Sequence, residues 1–329
     1  MNDLTTLYGQ HTGRVSQRWS SYLDTLDRVL AAKRTDPISL LEIGVQNGGS
    51  LELWARYFCA ARILIGSDID ERCGELTFED DRIRVVVGDA TEAGVQQTIA
   101  SLSEGFDVVI DDGSHRSPDI IAAFIALYPR LAEGGVYIIE DLHCSYAASF
   151  GGGLHTQRSA LGFLRRLIDV VNQDHWGLPT SAAEHLQSLV DEPLPQEFLA
   201  SLTTIASLEF FDSVCVVRRD GGPSPRLGTR IVAGSIAAVD PAPVAEAGRP
   251  FVTELQVESL ADPDPIEHEA QLRAFREDHA RLVHQEKVLR QELVEVWGRL
   301  ERILASPSYR IMNVPRSIFR ALFRRSGQR

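Results

Sequence analysis

Between Ile38 and Asp141, short apolar runs alternate with other segments five times. The runs ISLLEIGV, ARILIGSDID, IRVVVGDA, FDVVIDD and GVYIIED are apolar almost throughout, the pattern of strands buried on both faces. SLELWARYF, the stretch around Gly94–Leu102 and SPDIIAAFIALYPRLA carry helical spacing. Strands separated by helices in this rhythm predict an α/β fold, a doubly wound and mostly parallel sheet with helices on both faces. Val15, Trp19, Tyr22, Leu23, Leu26, Val29 and Leu30 recur at helical spacing, which predicts a helix over 15–33. Beyond the fifth strand come a Gly-rich loop, SYAASFGGGLHTQ, of the kind that covers an active site, and helices over roughly 158–174 and 181–191. SLEFFDSVCVVRR, with apolar halves around Phe211-Asp212-Ser213, suits an antiparallel pair closing the sheet near Arg219.

The carboxyl ends of such strands open onto the ligand crevice of the sheet. Two of them end in acid-rich runs, Ile110-Asp111-Asp112-Gly113-Ser114-His115 and Ile138-Ile139-Glu140-Asp141-Leu142-His143. Asp112, Glu140 and Asp141 offer three oxygen donors suited to a hard divalent cation, and His115 beside them is a candidate general base. Clustered carboxylates are costly without a cation, which argues for chemistry over packing. Asp111 reads as a strand-end residue near the cofactor, and His143 as a neighbour of the acceptor. Tyr146 and His155, on the loop, are further candidates for touching an acceptor.

The first strand runs into Leu40-Leu41-Glu42-Ile43-Gly44-Val45-Gln46-Asn47-Gly48-Gly49-Ser50, a Gly-rich turn entering a helix. A dinucleotide site prefers G-x-G-x-x-G, whereas position 46 is Gln, and Glu42 has no part in holding a pyrophosphate. Asp68 ends the second strand, where a carboxylate can accept both ribose hydroxyls, and Asp89 ends the third, near an adenine edge. Acids at successive strand ends without a basic phosphate cradle fit S-adenosylmethionine (SAM) better than NAD or ATP. Glu42, Gly44, Gly48, Asp68 and Asp89 are therefore the candidate cofactor residues.

A formal net charge of −13 over 329 residues argues against a nucleic-acid binder. The four Cys (59, 73, 144, 215) show neither CxxC nor zinc spacing and read as reduced thiols of a cytoplasmic protein. MNDLTTLYGQHTGR lacks the basic and apolar regions of a secretory signal, and no apolar run approaches the roughly 20 residues that span a bilayer. Four segments follow from the composition: a catalytic domain, 1–219; a Pro/Gly/Ala-rich linker, 220–265, with one short strand at Thr229–Ala233; a coiled coil, 266–305; and a basic tail, 306–329. Phe275, Leu282, Leu289, Val296 and Ile303 recur every seventh residue, and Leu272, Leu293 and Leu300 form the companion column with His279 and Glu286. The repeat predicts a homo-oligomer through the coiled coil, with one long amphipathic helix folded back on its own domain as the alternative. The tail carries six Arg and no acid around Ile318, Phe319, Leu322 and Phe323, a composition suited to peripheral contact with the inner face of a membrane.

LLEIGVQNGGS, GSDID, VVGDA, VIDDGSH and IIEDLH together resemble the class I SAM-dependent methyltransferases. Within them the chain resembles the metal-dependent sugar O-methyltransferases of mycinamicin and related macrolide pathways, and relatives labelled cephalosporin hydroxylase-like, over about residues 7–219. The resemblance implies that Asp112, Glu140 and Asp141 bind Mg2+, that His115 is the base, and that Glu42, Asp68 and Asp89 are the acids of the SAM site. TGRVSQRWSSYL is similar to a segment that helps close the site. The terminal SxSYR…PxR…RR pattern resembles the ends of bacterial cell-surface polysaccharide enzymes and shifts the expected acceptor toward a glycan. The expected reaction is methyl transfer from SAM to a sugar hydroxyl, acidified by the cation and deprotonated by His115. Two rivals stand beside it. A ferrous hydroxylase would favour two His and one carboxylate, and a non-catalytic scaffold would assemble partners through its coiled coil.

Overall fold

The computed structural model describes residues 3–221, 227–250, 252, 281–283, 285–293 and 296–298. The chain divides into two compact units, Met1–Val257 and Glu258–Arg329.

The first unit opens with two helices, α1 (Leu4–Gly9) and α2 (Ser20–Leu30). The alternation then follows as β1 (Ser39–Ile43), α3 (Gly49–Tyr57), β2 (Ile63–Asp68), β3 (Ile83–Val87), α4 (Ala93–Leu102), β4 (Phe106–Asp111), α5 (Ser117–Leu127) and β5 (Leu131–Ile139). Three helices, α6 (Ala160–Val171), α7 (Ala182–Gln187) and α8 (Gln196–Ser201), precede the hairpin of β6 (Ile205–Phe211) and β7 (Val214–Arg219). The seven strands form one sheet in the order β3-β2-β1-β4-β5-β7-β6. Strands β1 to β5 are parallel, and β7 runs antiparallel to β5 and β6.

Successive strand residues point to opposite faces, so each apolar run feeds two cores. Leu40, Leu64, Val108, Val136 and Val216 pack beneath α1, α2 and α3. Leu41, Ile65, Val109, Tyr137 and Val217 pack beneath α5, α6 and α8. The second core is organised around Phe124, fully buried, whose ring stacks on Tyr128 at 5.0 Å and meets Tyr137, Phe163 and Phe198 edge-on at 5.1 to 6.2 Å. With β1 and β4 adjacent at the reversal of strand order, their carboxyl ends flank the crevice where such sheets bind ligands.

Several boundaries differ from the sequence expectation. The helix expected over 15–33 begins only at Ser20, because Trp19 is extended (φ −64°, ψ 141°) and residues 11–19 form a strap tied down by side-chain bonds to the site. The helix expected through Ala132 stops at Leu127, and Tyr128–Arg130 make one 3-10 turn. β5 then starts at Leu131, four residues before the Gly135 that opens GVYIIED, pairing Leu131 with Phe106 across a register shift. The helices expected over 158–174 and 181–191 are shorter, and α8 was not expected. Thr229–Ala233 is not a strand: Thr229 makes a single bridge to Pro250, and Ile231 is 94% exposed, with no sheet to bury it. All four cysteines are free, and three of them are buried.

In the second unit the described residues 281–283, 285–293 and 296–298 are helical. Glu286 and Arg290 pair one turn apart at 2.8 Å, and Leu282, Leu289 and Val296 of the heptad column are exposed. Leu293 of the companion column is exposed too, while Leu272, Phe275, His279, Leu300, Ile303 and the basic tail, 306–329, lie outside the described residues. No helix among the described residues is long and apolar enough to cross a membrane.

Removing the central ring of the second core tests its role. Phe124→Ala is expected to cost about 3–5 kcal/mol in a urea titration, the range for emptying a large buried aromatic site. A loss below about 1 kcal/mol would show that the aromatic cluster does not hold α5 to the sheet.

Candidate active site

A cavity of about 860 Å³ opens at the carboxyl ends of β1, β2, β3, β4 and β5, within the roughly 300–1,000 Å³ of small-molecule sites. Gly44, Asp68 and Asp89 line one half, and Asp112, His115, Glu140 and Asp141 line the other. Glu42 and Gly48 are not on its wall. Among the described residues, four non-glycine residues have left-handed backbone: Gln46, His115, Asp141 and Ser213. Such strain persists only where the surroundings enforce it and concentrates at functional sites. The first three line the cavity.

The two halves share backbone. Gly44 has φ +93°, and a Cβ there would lie 2.2 Å from the Asp112 carbonyl oxygen, so only glycine lets the turn after β1 approach the end of β4. Asp68 holds that turn. Its Oδ2 accepts the amides of Val45 and Gln46 at 2.8 and 2.9 Å, and Oδ1 accepts that of Asp70 at 2.9 Å. Burial works against its charge, but these amides outweigh it and lower the carboxyl below its usual value. A carboxylate has about four acceptor sites, so the expectation that Asp68 accepts both ribose hydroxyls leaves it little more than one to give. Asp89 Oδ1 takes the amide and hydroxyl of Thr91 at 2.8 and 2.7 Å.

Glu42, expected among the cofactor residues, stands behind the cavity wall. Its carboxylate is fully buried, accepting from Ser50 Oγ at 2.6 Å, Trp54 Nε1 at 2.9 Å and Arg18 Nη2 at 2.8 Å, of which Ser50 and Arg18 line the cavity. Gly48 caps α3 with φ +82° against Phe78 and serves the turn itself.

In the acidic half, one ligand atom each from Asp112, His115 and Asp141 lie within 4.8 Å of one another. Glu140, expected as a third carboxylate ligand, does not join them. Both its oxygens accept from Arg18 Nε, at 3.0 and 2.9 Å, on a guanidinium only 2% exposed. Sequence reading missed Arg18, which also donates to Asp112 Oδ2 at 3.3 Å and Tyr8 Oη at 3.1 Å and lies over the Trp54 ring. Asp141 is held from the other side. Its Oδ1 accepts Trp19 Nε1 at 3.0 Å and the Tyr22 hydroxyl at 2.8 Å, while Oδ2 faces His115 Nε2 at 3.5 Å. The β6–β7 turn reaches back to this segment: Ser213 O accepts the Leu142 amide at 2.9 Å, and Ser213 Oγ lies 2.6 Å from His143 Nδ1. Tyr146 is half exposed, and neither it nor His155 lines the cavity.

Burial, with the charge of Glu140, pushes the Asp112 carboxyl up to about 8, and burial also raises Asp111, to about 7. Burial lowers His115, keeping its imidazole neutral at physiological pH despite the pull of Asp141. Hard oxygen donors of Asp112 and Asp141 facing one another suit Mg2+, which is commonly bound through one or two carboxylates. The donor set holds a single His, against the two of a ferrous oxygenase triad.

Comparisons with known proteins bear on the fold and the class. Residues 41–142 match the family model described as a methyltransferase domain. The 8-demethyl-8-(2-methoxy-α-L-rhamnosyl)-tetracenomycin-C 3'-O-methyltransferase of Streptomyces olivaceus is 32% identical over 191 residues, 55% of this chain and 48% of its own. The mycinamicin VI 2''-O-methyltransferase of Micromonospora griseorubida is 36% identical over 164 residues, 47% of this chain and 40% of its own. The chain thus spans about half the length of the curated relatives it matches. Among solved structures, the MycE methyltransferase of the mycinamicin pathway, in complex with Mg, SAH and mycinamicin VI, superposes with a TM-score of 0.53 at 27% identity, over 68% of this chain and 57% of that one. The first unit has a Rossmann-like fold, and its residues 41–142 are similar to methyltransferase domains. Within that class it is similar to the sugar O-methyltransferases of macrolide and tetracenomycin glycosides.

A carboxyl that must lose its proton to bind a cation makes affinity depend on pH. Asp112 is protonated below about 8 without a cation, so Mg2+ affinity by calorimetry is expected to rise between pH 6 and 8.5, with proton release. Asp112→Asn is expected to abolish binding; pH-independent Mg2+ affinity in the unaltered protein would show that Asp112 is not the proton-coupled ligand.

Proposed function

We propose that this protein is a SAM- and Mg2+-dependent O-methyltransferase acting on a sugar hydroxyl of a glycoside or cell-surface glycan. The observation that carries this reading is the joining of a glycine-turn cofactor half to an acidic Asp112–His115–Asp141 half within one cavity. When bound, SAM supplies the electrophilic methyl group, and Mg2+ supplies charge that makes an alcohol easier to deprotonate.

The chain's own residues do the rest. Nε2 of His115 faces Asp141 Oδ2, which leaves Nδ1 as the lone-pair nitrogen to take the proton of an acceptor hydroxyl. Asp141 stabilises the imidazolium that forms, and Trp19 and Tyr22 keep it turned toward His115. Asp112 and Asp141 would hold the cation, and vicinal sugar hydroxyls suit an ion that keeps positions open for substrate. Asp68 and Gly44 fix the turn against which the cofactor lies, at backbone contact with Asp112.

A glycan acceptor is favoured by the terminal sequence pattern of residues 306–329, whose basic amphipathic character also suits contact with an anionic surface. The exposed Leu282, Leu289 and Val296 support pairing of the second unit's helix with another copy of the chain. Leu289→Asp is expected to lower the mass measured by light scattering, and an unchanged mass would contradict pairing through this seam.

The functional test separates the two halves. Asp68→Ala is expected to abolish SAM binding in calorimetry, Asp112→Ala to abolish Mg2+ binding, and His115→Ala to slow transfer to a glycoside by about 10²–10⁴ while leaving SAM bound. Absence of SAM binding in the unaltered protein would overturn the assignment.

A further inference from the structure

Residues 15–19 of the strap alternate as an extended chain does, with successive side chains turned to opposite sides. Ser16 and Arg18 turn inward, while Val15, Gln17 and Trp19 are exposed. All five line the cavity. The exposed row ends in Trp19, 60% of which faces solvent, whereas Tyr22, the other large ring of the lining, is buried. The Trp19 ring meets that of His143 nearly at right angles, with centroids 6.0 Å apart. We infer that Trp19 is the acceptor platform of this site: its open face receives the C–H face of a pyranose ring, with Gln17 and His143 as the polar groups that flank it. The assignment rests on the proposed sugar O-methyl transfer and names the residues that meet its acceptor.

A large apolar ring left in water forgoes the stabilisation of burial. Placed at the mouth of a ligand cavity, such a ring marks a contact surface. A pyranose suits it: the hydroxyls of the sugar spread around its rim, and its two faces present C–H groups. Those hydrogens are slightly positive, and the face of an aromatic ring is negative. The platform also stands at the right place. The indole N–H donates to Asp141 Oδ1 at 3.0 Å, and Asp141 Oδ2 faces His115 Nε2 at 3.5 Å, so one side chain separates the ring from the candidate base. A sugar with one hydroxyl at His115 thereby brings neighbouring ring carbons toward the indole. Polar groups stand at the rim of the platform. His143 Nδ1 lies 2.6 Å from Ser213 Oγ, while its Nε2, like the Gln17 amide, has no hydrogen-bond partner among the described residues. Both groups can meet hydroxyls of the stacked ring. The strap beneath is fixed by the buried Arg18, so the ring is already in place when the sugar arrives, and little freedom is lost on stacking.

The test follows methyl transfer from SAM to p-nitrophenyl glycopyranosides of several configurations by the full chain, with SAH affinity measured alongside. Trp19→Phe keeps a flat apolar face and loses the N–H, whereas Trp19→Ala loses both. Stacking predicts that Trp19→Ala raises the acceptor KM by about tenfold or more, that Trp19→Phe stays within about threefold of the unaltered protein, and that both bind SAH as before. A role confined to holding Asp141 predicts instead that the two variants fall together, and in kcat. NMR gives a second readout: a saturating glycoside is expected to shift the Trp19 indole N–H signal, identified by its loss in Trp19→Phe. Equal losses of kcat in both variants with KM unmoved, or a Trp19 signal that no glycoside shifts in a chain that binds SAH, would overturn the platform and leave the methyltransferase reading standing. If the unaltered chain binds no SAH, both fail.

Discussion

One buried cation organises the acidic end of this sheet. Glu42 and Glu140 end neighbouring parts of it with almost no solvent, and Asp112 lies between them. Three carboxyls in that volume repel one another unless a positive charge is built in. Arg18 supplies it from outside the sheet, on a strap that crosses the glycine turn. The bond is costly to break: removing one partner of a buried ion pair destabilises by about 3–5 kcal/mol, because the remaining charge is stranded. The strap, the first two helices and the strand ends therefore form one unit, in which the position of each acid depends on the others.

That unit explains why the cofactor turn and the acidic cluster stand at a fixed distance. Gly44 presses on the Asp112 carbonyl, Asp68 ties the turn from below, and Glu42 grips the start of α3 through Ser50 and Trp54. The antiparallel β6–β7 hairpin completes the frame by pinning Leu142 and His143 through Ser213. A methyl group transferred in line needs donor and acceptor held at a fixed separation, and these backbone contacts set it without relying on a mobile loop.

Much of this was legible in the sequence, for physical reasons. Buried parallel strands declare themselves as apolar runs, and acids at their carboxyl ends are too costly to be accidental. Asp68, Asp89, Asp112, His115 and Asp141 were all placed on the crevice in that way. The burial of Glu42 behind the cavity wall was not legible, because an acid two residues before a turn glycine looks the same whether it lines a cavity or lies beneath it. Arg18 was hidden for a related reason. It sits in a stretch whose apolar spacing imitates a helix, and its acidic partners lie 24 to 122 residues away. Only tertiary bonds make residues 11–19 extended.

The most direct measurement is a crystal structure of the full chain with SAH and Mn2+, with the metal located by anomalous scattering. A peak at the acidic cluster beside His115, with SAH against the glycine turn, is the predicted result. SAH bound without any peak at the acidic cluster would contradict the account.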